Sequence, residues 1–278
     1  CIYNSKKDIK MNSVIEAVYN KNRAISKTYP KTFVLQRLIC GLEAIGFPLF
    51  IYFFIFKGKI SASFYENIHT TDYITYIILG QSLNILSFAT LMNVGRCLIS
   101  EIREGTLEVF LLSPASRIGY FIGCYLEQFF MSIIEFLIII FIGIILGARI
   151  TIDDIIILSI IVIIASVSFL SLSISVASIM VFTRDSYLTQ NTFFNLMSVI
   201  CGVSFPIGYL PSWIQPLSAL FPLTPTLQLF RNCILNNQTL SENTFLLLHI
   251  FIISIIYLSI GYKWFTVLEK KFVENIYS

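Results

Sequence analysis

The stretch Glu101-Ile-Arg-Glu-Gly-Thr-Leu-Glu-Val-Phe-Leu-Leu-Ser-Pro114 carries the most suggestive chemistry in this chain. Its carboxylates, Glu101, Glu104 and Glu108, can accept charge-assisted hydrogen bonds from Arg or Lys of a partner. Leu107, Phe110 and Leu111 recur at helical spacing and form an apolar face. Gly105 leaves room for close approach, at a helix cost of about 1 kcal/mol. A bare loop between two hydrophobic runs has no need of alternating carboxylates and large apolar residues. A surface gripped by another protein does.

Catalytic chemistry is poorly provided for. His69 and His249 lie in separate segments without a partner set, so no metal site is expected. Cys1, Cys40, Cys97, Cys124, Cys201 and Cys233 are scattered, with no CxxC. Asp153-Asp154 is a bare pair. A membrane-embedded acyl- or glycosyl-transferase would need His, Asp or Ser gathered at one membrane face. No GxxxxGK[ST] occurs, so no phosphate-cradling loop can be read and no ATP site is expected in this chain. Glu43, Glu127 and Glu135 are ionisable residues at membrane depth, where such groups are costly and often functional. Each is read first as structural or interfacial, and as a pathway candidate second. Gln81, Asn84, Gln190, Asn191 and Asn195 read as interhelical hydrogen-bond partners before substrate ligands.

The elements that would position these residues are membrane helices. The 278 residues are 56% hydrophobic and 13% charged, against roughly 25% charged in soluble domains. Mean hydropathy is +0.80. Several runs approach the ~20 apolar residues that cross a bilayer core. Lipid-facing backbone must pair within its own segment, so helices are expected, and continuous rather than alternating apolarity argues against a barrel. The reading is one all-α polytopic membrane domain over 1–278, with six spans at 36–56, 73–98, 117–147, 155–182, 187–204 and 245–268. The serines of the fourth span suit close helix approach. Met11, Val14, Ile15, Val18 and Tyr19 form a stripe over 11–30, opened by a Ser13-x-x-Glu16 capping box, and predict an amphipathic helix lying along the headgroups. Between spans five and six, 205–243 holds Pro206, Pro211, Pro216, Pro222 and Pro225 yet stays apolar. Short broken helices re-entering the outer leaflet are expected there. The first apolar run begins only near Leu38, so no secretory signal is expected, and Cys1 is read as a trimmed start rather than a lipidated terminus.

Orientation follows from Lys and Arg. Lys6, Lys7, Lys10, Lys21, Arg23, Lys27, Lys31, Arg37, Arg96, Arg103, Arg117, Arg184, Lys263, Lys270 and Lys271 fall on one side. Lys57, Lys59, Arg149 and Arg231 fall on the other, completing the 19. The asymmetry places both termini and 101–114 in the cytoplasm. A net charge of +3 says little about nucleic acid, and no nucleic-acid partner is expected.

Two motifs then stand on opposite faces. Inside is Glu101-x-Arg103-Glu104-Gly105-Thr106-Leu107-Glu108, followed by Leu112-Ser113-Pro114-x-x-Arg117. Outside is Phe205-Pro206-x-x-Tyr209-Leu210-Pro211-x-Trp213, then Phe221-Pro222-Leu223-Thr224-Pro225 and Arg231. The arrangement resembles the ABC-2 type permease family over essentially the whole chain, and looks most like its drug-resistance and nodulation-factor exporter branch. The resemblance implies that 101–114 is a coupling helix docking into an ATPase subunit. It also implies that ATP and Mg are bound by that subunit, and that two permeases, like or related, pair in the cell membrane. Export of a hydrophobic or amphiphilic compound is what the family implies. Export of a polysaccharide or lipid-linked glycan is the alternative within the same fold, and an ATPase-independent channel or a membrane transferase the alternative outside it.

Overall fold

Long apolar runs should fold as helices, and the described residues do. The computed structural model describes residues 11–28, 30–55, 57–58, 72–183 and 186–277, and every regular element among them is helical. In chain order these are α1 (Met11–Thr28), α2 (Pro30–Phe50, continued by a π-helical turn Ile51–Ile55), α3 (Tyr73–Glu104), α4 (Leu107–Leu112), α5 (Arg117–Ile145), α6 (Ile152–Thr183) and α7 (Ser186–Ile200). A 3-10 turn Ile207–Tyr209, α8 (Gln215–Ser218), α9 (Leu223–Leu235) and α10 (Thr244–Tyr277) complete the chain. Helices α3, α5, α6 and α10 are long and apolar enough to cross a bilayer, and Gly41–Ile55 is a shorter apolar stretch. Pro48 deprives α2 of one ladder donor, and the π-helical turn follows directly. Glu66, His69, Arg184 and Asp185, and the side chains of Lys27, Lys31, Arg37, Gln190, Asn191 and Lys271, lie outside the described residues.

Helix α3 is the axis of the bundle. Ile77, Ile78, Leu79, Leu83, Leu86, Leu91 and Met92 are all fully buried, and α2, α5, α6, α7 and α9 pack around them. Small residues set where the backbones meet, as expected where lipid removes the hydrophobic drive between helices. Gly143 of α5 faces Ile78, Gly95 of α3 faces Ala177 and Met180 of α6, and Gly261 of α10 faces Ser175. Serines of α6 then bond across those contacts. Ser173 donates to Leu91 O at 2.8 Å, Ser175 to Tyr257 O at 2.8 Å and Ser178 to Gly261 O at 3.2 Å. The other serines of that run, Ser166, Ser168 and Ser171, bond back to their own helix instead.

Helix ends depart from the span limits expected from charge. α3 runs on through Leu98 to Glu104, and α10 runs through Glu269 to Tyr277. Charged residues end a membrane crossing without ending a helix, since Glu, Arg and Lys are good helix formers. At about 1.5 Å per residue, the 34 residues of α10 reach roughly 50 Å, well beyond a ~30 Å hydrocarbon core. Asp153-Asp154, outside the expected span 155–182, opens α6. Asp154 accepts from Thr151 N at 2.7 Å and Thr151 Oγ1 accepts from Asp154 N at 3.3 Å, a reciprocal cap.

The stripe of α1 also meets something other than lipid. Gly119 and Gly123, one turn apart on α5, open a groove: a Cβ at Gly123 would crowd Val18 and the Ile15 carbonyl, and one at Gly119 would crowd Met11. Val14 is buried, and Tyr19 packs edge-on against Phe130 with centroids 6.3 Å apart. The stripe therefore packs on the start of α5, because two glycines let one backbone lie against the other.

Candidate functional site

Gly105 divides the 101–114 stretch into the end of one helix and the start of another. It sits at φ 71°, in the left-handed region, and caps α3. Gly105 N donates to Ile102 O at 3.2 Å and Thr106 N to Glu101 O at 2.9 Å, the paired bonds of a Schellman cap. A Cβ here would meet nothing within 4 Å, so glycine is required for its conformation rather than for room. Gly105→Ala is expected to cost about 1–2 kcal/mol and Gly105→Asn less, since Asn visits this region more readily. Thermal unfolding of the purified protein in detergent checks this.

Glu101 does not offer its carboxylate outward. It is 8% exposed, accepts a hydrogen bond from the Thr106 hydroxyl, and pairs with Lys21 Nζ of α1 at 2.6 Å. Desolvation acts to lower the Lys21 pKa, but its hydrogen bond and charge attraction to Glu101, with Glu104 adding to them, outweigh that and hold the ammonium above its ordinary 10.5. A raised pKa keeps the pair's contribution intact at neutral pH and loses it only as pH rises through that raised value. Lys21 is half exposed, so the pair is worth at most about 1 kcal/mol.

Short helix α4 turns its expected apolar face inward. Leu107 and Leu111 are 4% and 6% exposed. They line a crevice with Val181, Phe265, Leu268 and Glu269. Phe110 lies against Tyr120, centroids 4.6 Å apart. These residues anchor the turn to its own chain. The face left outward consists of Glu108, Val109 and Leu112, the last two 70% and 54% exposed, with Arg103 and Glu104 beside them at the end of α3. Outward apolar side chains near carboxylates are the chemistry a small docking patch would need.

One residue missed as a site residue holds the turn together. Arg117, the first residue of α5, folds back over α4. Nη1 donates to the carbonyls of Phe110 (3.0 Å), Ser113 (3.3 Å) and Ala115 (2.9 Å), and Nη2 to that of Leu111 (2.5 Å). A six-residue helix leaves most carbonyls without intrahelical donors, and a single guanidinium fork supplies two of them, Phe110 and Leu111, and two more just beyond the helix. Nε and Nη2 also donate to Glu269 Oε1 of α10, at 3.0 and 2.8 Å, and the guanidinium carbon lies 4.8 Å from the Phe110 ring centroid. Arg117 closes the quoted Leu-Ser-Pro-x-x-Arg motif, which is the signal that could have singled it out. Glu269, 152 residues away, has no local signal.

The other candidates are dispersed. Gln81 Nε2 donates to Ser204 Oγ at 3.0 Å, and Asn84 Nδ2 to Ser198 Oγ at 3.5 Å. Both tie α3 to α7 or to the turn after it, as interhelical partners would. Glu43 and Asn195 are exposed, Glu135 is half-buried and Glu127 is buried in α5. Among the described residues no three of His, Cys, Asp and Glu gather as metal ligands would.

At the opposite end of the bundle, Pro206, Pro222 and Pro225 are buried while Pro211 and Trp213 are exposed. Arg231 of α9 is buried there and organises the region. Nη1 donates to Gly202 O at 2.9 Å and Nη2 to Val203 O at 2.8 Å, and the guanidinium carbon lies 3.5 Å from the Tyr76 ring centroid. Gly202, at φ 69°, turns the chain out of α7 so that these carbonyls face inward. Gly80 must lack a side chain, because a Cβ would collide with the Val203 carbonyl and the Arg231 fork.

Compared with known families, residues 41–235 match the model described as ABC-2 type transporter. No curated protein matches the chain.

Proposed function

The chain belongs to the ABC-2 type transporter family, membrane subunits of ATP-driven transporters, and from that premise we propose that it is a cell-membrane permease exporting a hydrophobic or amphiphilic compound. ATP and Mg are bound by a separate ABC ATPase, and a second permease, identical or related, completes the pathway. The ATPase contact is the outward face of α4, Glu108, Val109 and Leu112, with Arg103 and Glu104 beside it. The observation that carries this reading is the division of α4: Leu107 and Leu111 are committed to the chain's own core, while Val109 and Leu112 stay 70% and 54% exposed.

Six crossings, with both termini on the cytoplasmic side, fit the direction of packing. Ser175 meets Tyr257 and Ser178 meets Gly261, so α6 and α10 run parallel. Ser173 meets Leu91 while Ala177 and Met180 meet Gly95, so α3 runs parallel to both. The chain leaves α6 at one face and begins α10 at the other, which supports a further crossing between them, in this reading by α7. Tyr52, at the end of α2, lies beside Tyr73, at the start of α3, which supports one by α2. Arg231 and the broken helices then face outside.

Co-expression with ABC ATPases tests the reading: one of them should co-purify with the permease and hydrolyse ATP in the complex. Glu108→Lys should weaken that association by about 0.2–1 kcal/mol, more at low salt than at high, as a rim charge does. Equal affinity of Glu108→Lys and wild type at low salt would remove Glu108 from the contact.

A further inference from the structure

We propose that Arg117 and Glu269 form a strut that carries displacement of α4 to the last helix, α10. The inference rests on the reading of α4 as the ATPase contact and adds to it the route by which motion leaves that contact.

Neither covalent route out of α4 is continuous helix. On one side stands Gly105, in the left-handed region with open space around it. On the other, Ser113–Ser116 has no regular structure. The non-covalent route is stiffer. Arg117 grips carbonyls along the turn and, with the same planar fork, Glu269 Oε1. Both side chains are largely shielded, at 16% and 24% exposure, where a charge-assisted pair is less weakened by solvent. Below it, Leu107 and Leu111 share a crevice with Phe265 and Leu268, and Phe265 stands edge-on to buried Phe121 at 4.8 Å. A push on α4 therefore meets Glu269 and α10 before it strains either flanking segment. From α10 the displacement passes to α6 through Ser175 and Ser178, whose hydroxyls bond the α10 carbonyls of Tyr257 and Gly261.

The test uses the full permease assembled with its ABC ATPase in lipid nanodiscs. Nitroxide labels at Ser100→Cys on α3 and Thr266→Cys on α10, with native cysteines replaced, report the distance between the two helices without nucleotide and with ATP plus vanadate. Wild type should show a nucleotide-dependent shift. Glu269→Ala should lose it while still co-purifying with the ATPase and hydrolysing ATP, and Glu269→Asp should retain it. A shift that survives Glu269→Ala overturns the strut. Loss of assembly in Glu269→Ala would place the pair in docking and also overturn it. No shift in wild type overturns the strut and the coupling reading together.

Discussion

A permease carrying Val109→Asp should insert and fold as wild type does but no longer retain an ABC ATPase. Val109, 70% exposed, is the most exposed apolar side chain of α4, so a carboxylate there should cost the isolated permease little. In the complex, the same carboxylate would be buried without a partner in a patch already rimmed by Glu104 and Glu108. Central interface positions of this kind are worth about 2 kcal/mol or more, roughly thirtyfold in Kd. Leu107→Ala should behave in the opposite way. Leu107 is buried in the chain's own core, so its truncation removes about 2–5 kcal/mol from the fold and leaves the docking face in place. Thermal unfolding of the permease alone and co-purification of the complex separate the two: Val109→Asp moves only the second, and Leu107→Ala moves chiefly the first.

Arg231→Leu should be the most damaging single change outside that turn. It strips the guanidinium donors from the carbonyls of Gly202 and Val203, leaving Gly202 O only the long bond from the Tyr76 hydroxyl at 3.4 Å, and a buried carbonyl left unpaired costs about 1–3 kcal/mol. It also removes the cation over Tyr76, worth up to about 2 kcal/mol when desolvated. Leucine fills much of the volume without supplying a donor. Arg231→Lys should recover only part of the loss, because an ammonium lacks the planar fork that reaches both carbonyls. The expected outcome is a lowered unfolding temperature and faster cleavage by external protease in the 202–213 segment, with Arg231→Lys intermediate. An unchanged unfolding temperature in Arg231→Leu would show that this guanidinium is not what holds the segment.

Much of the helical framework was legible because its cause is local. A long apolar run must pair its own backbone in lipid, and Gly, Pro and reciprocal caps mark turns within a few residues. The serines of α6 announced close packing for the same reason. The inward face of α4 was not legible. Leu107, Phe110 and Leu111 form a stripe that serves an external partner and an internal one equally well, and the internal partners, Phe265 and Leu268, lie some 150 positions further on. Glu101 shares this difficulty. Its carboxylate looks available until the fold brings Lys21 beside it from the N-terminal helix. Arg231 was visible as an odd cation in an apolar region, but its carbonyl partners depend on the left-handed turn at Gly202.

Photo-crosslinking in intact membranes tests the ATPase contact most directly. Benzoylphenylalanine replaces Val109 or Leu112 on the outward face of α4, and Phe245, at the far end of α10, as a control. The account predicts ATPase adducts from positions 109 and 112 and none from 245. Adducts from 245, or none from 109 and 112 in a complex that still hydrolyses ATP, would contradict it.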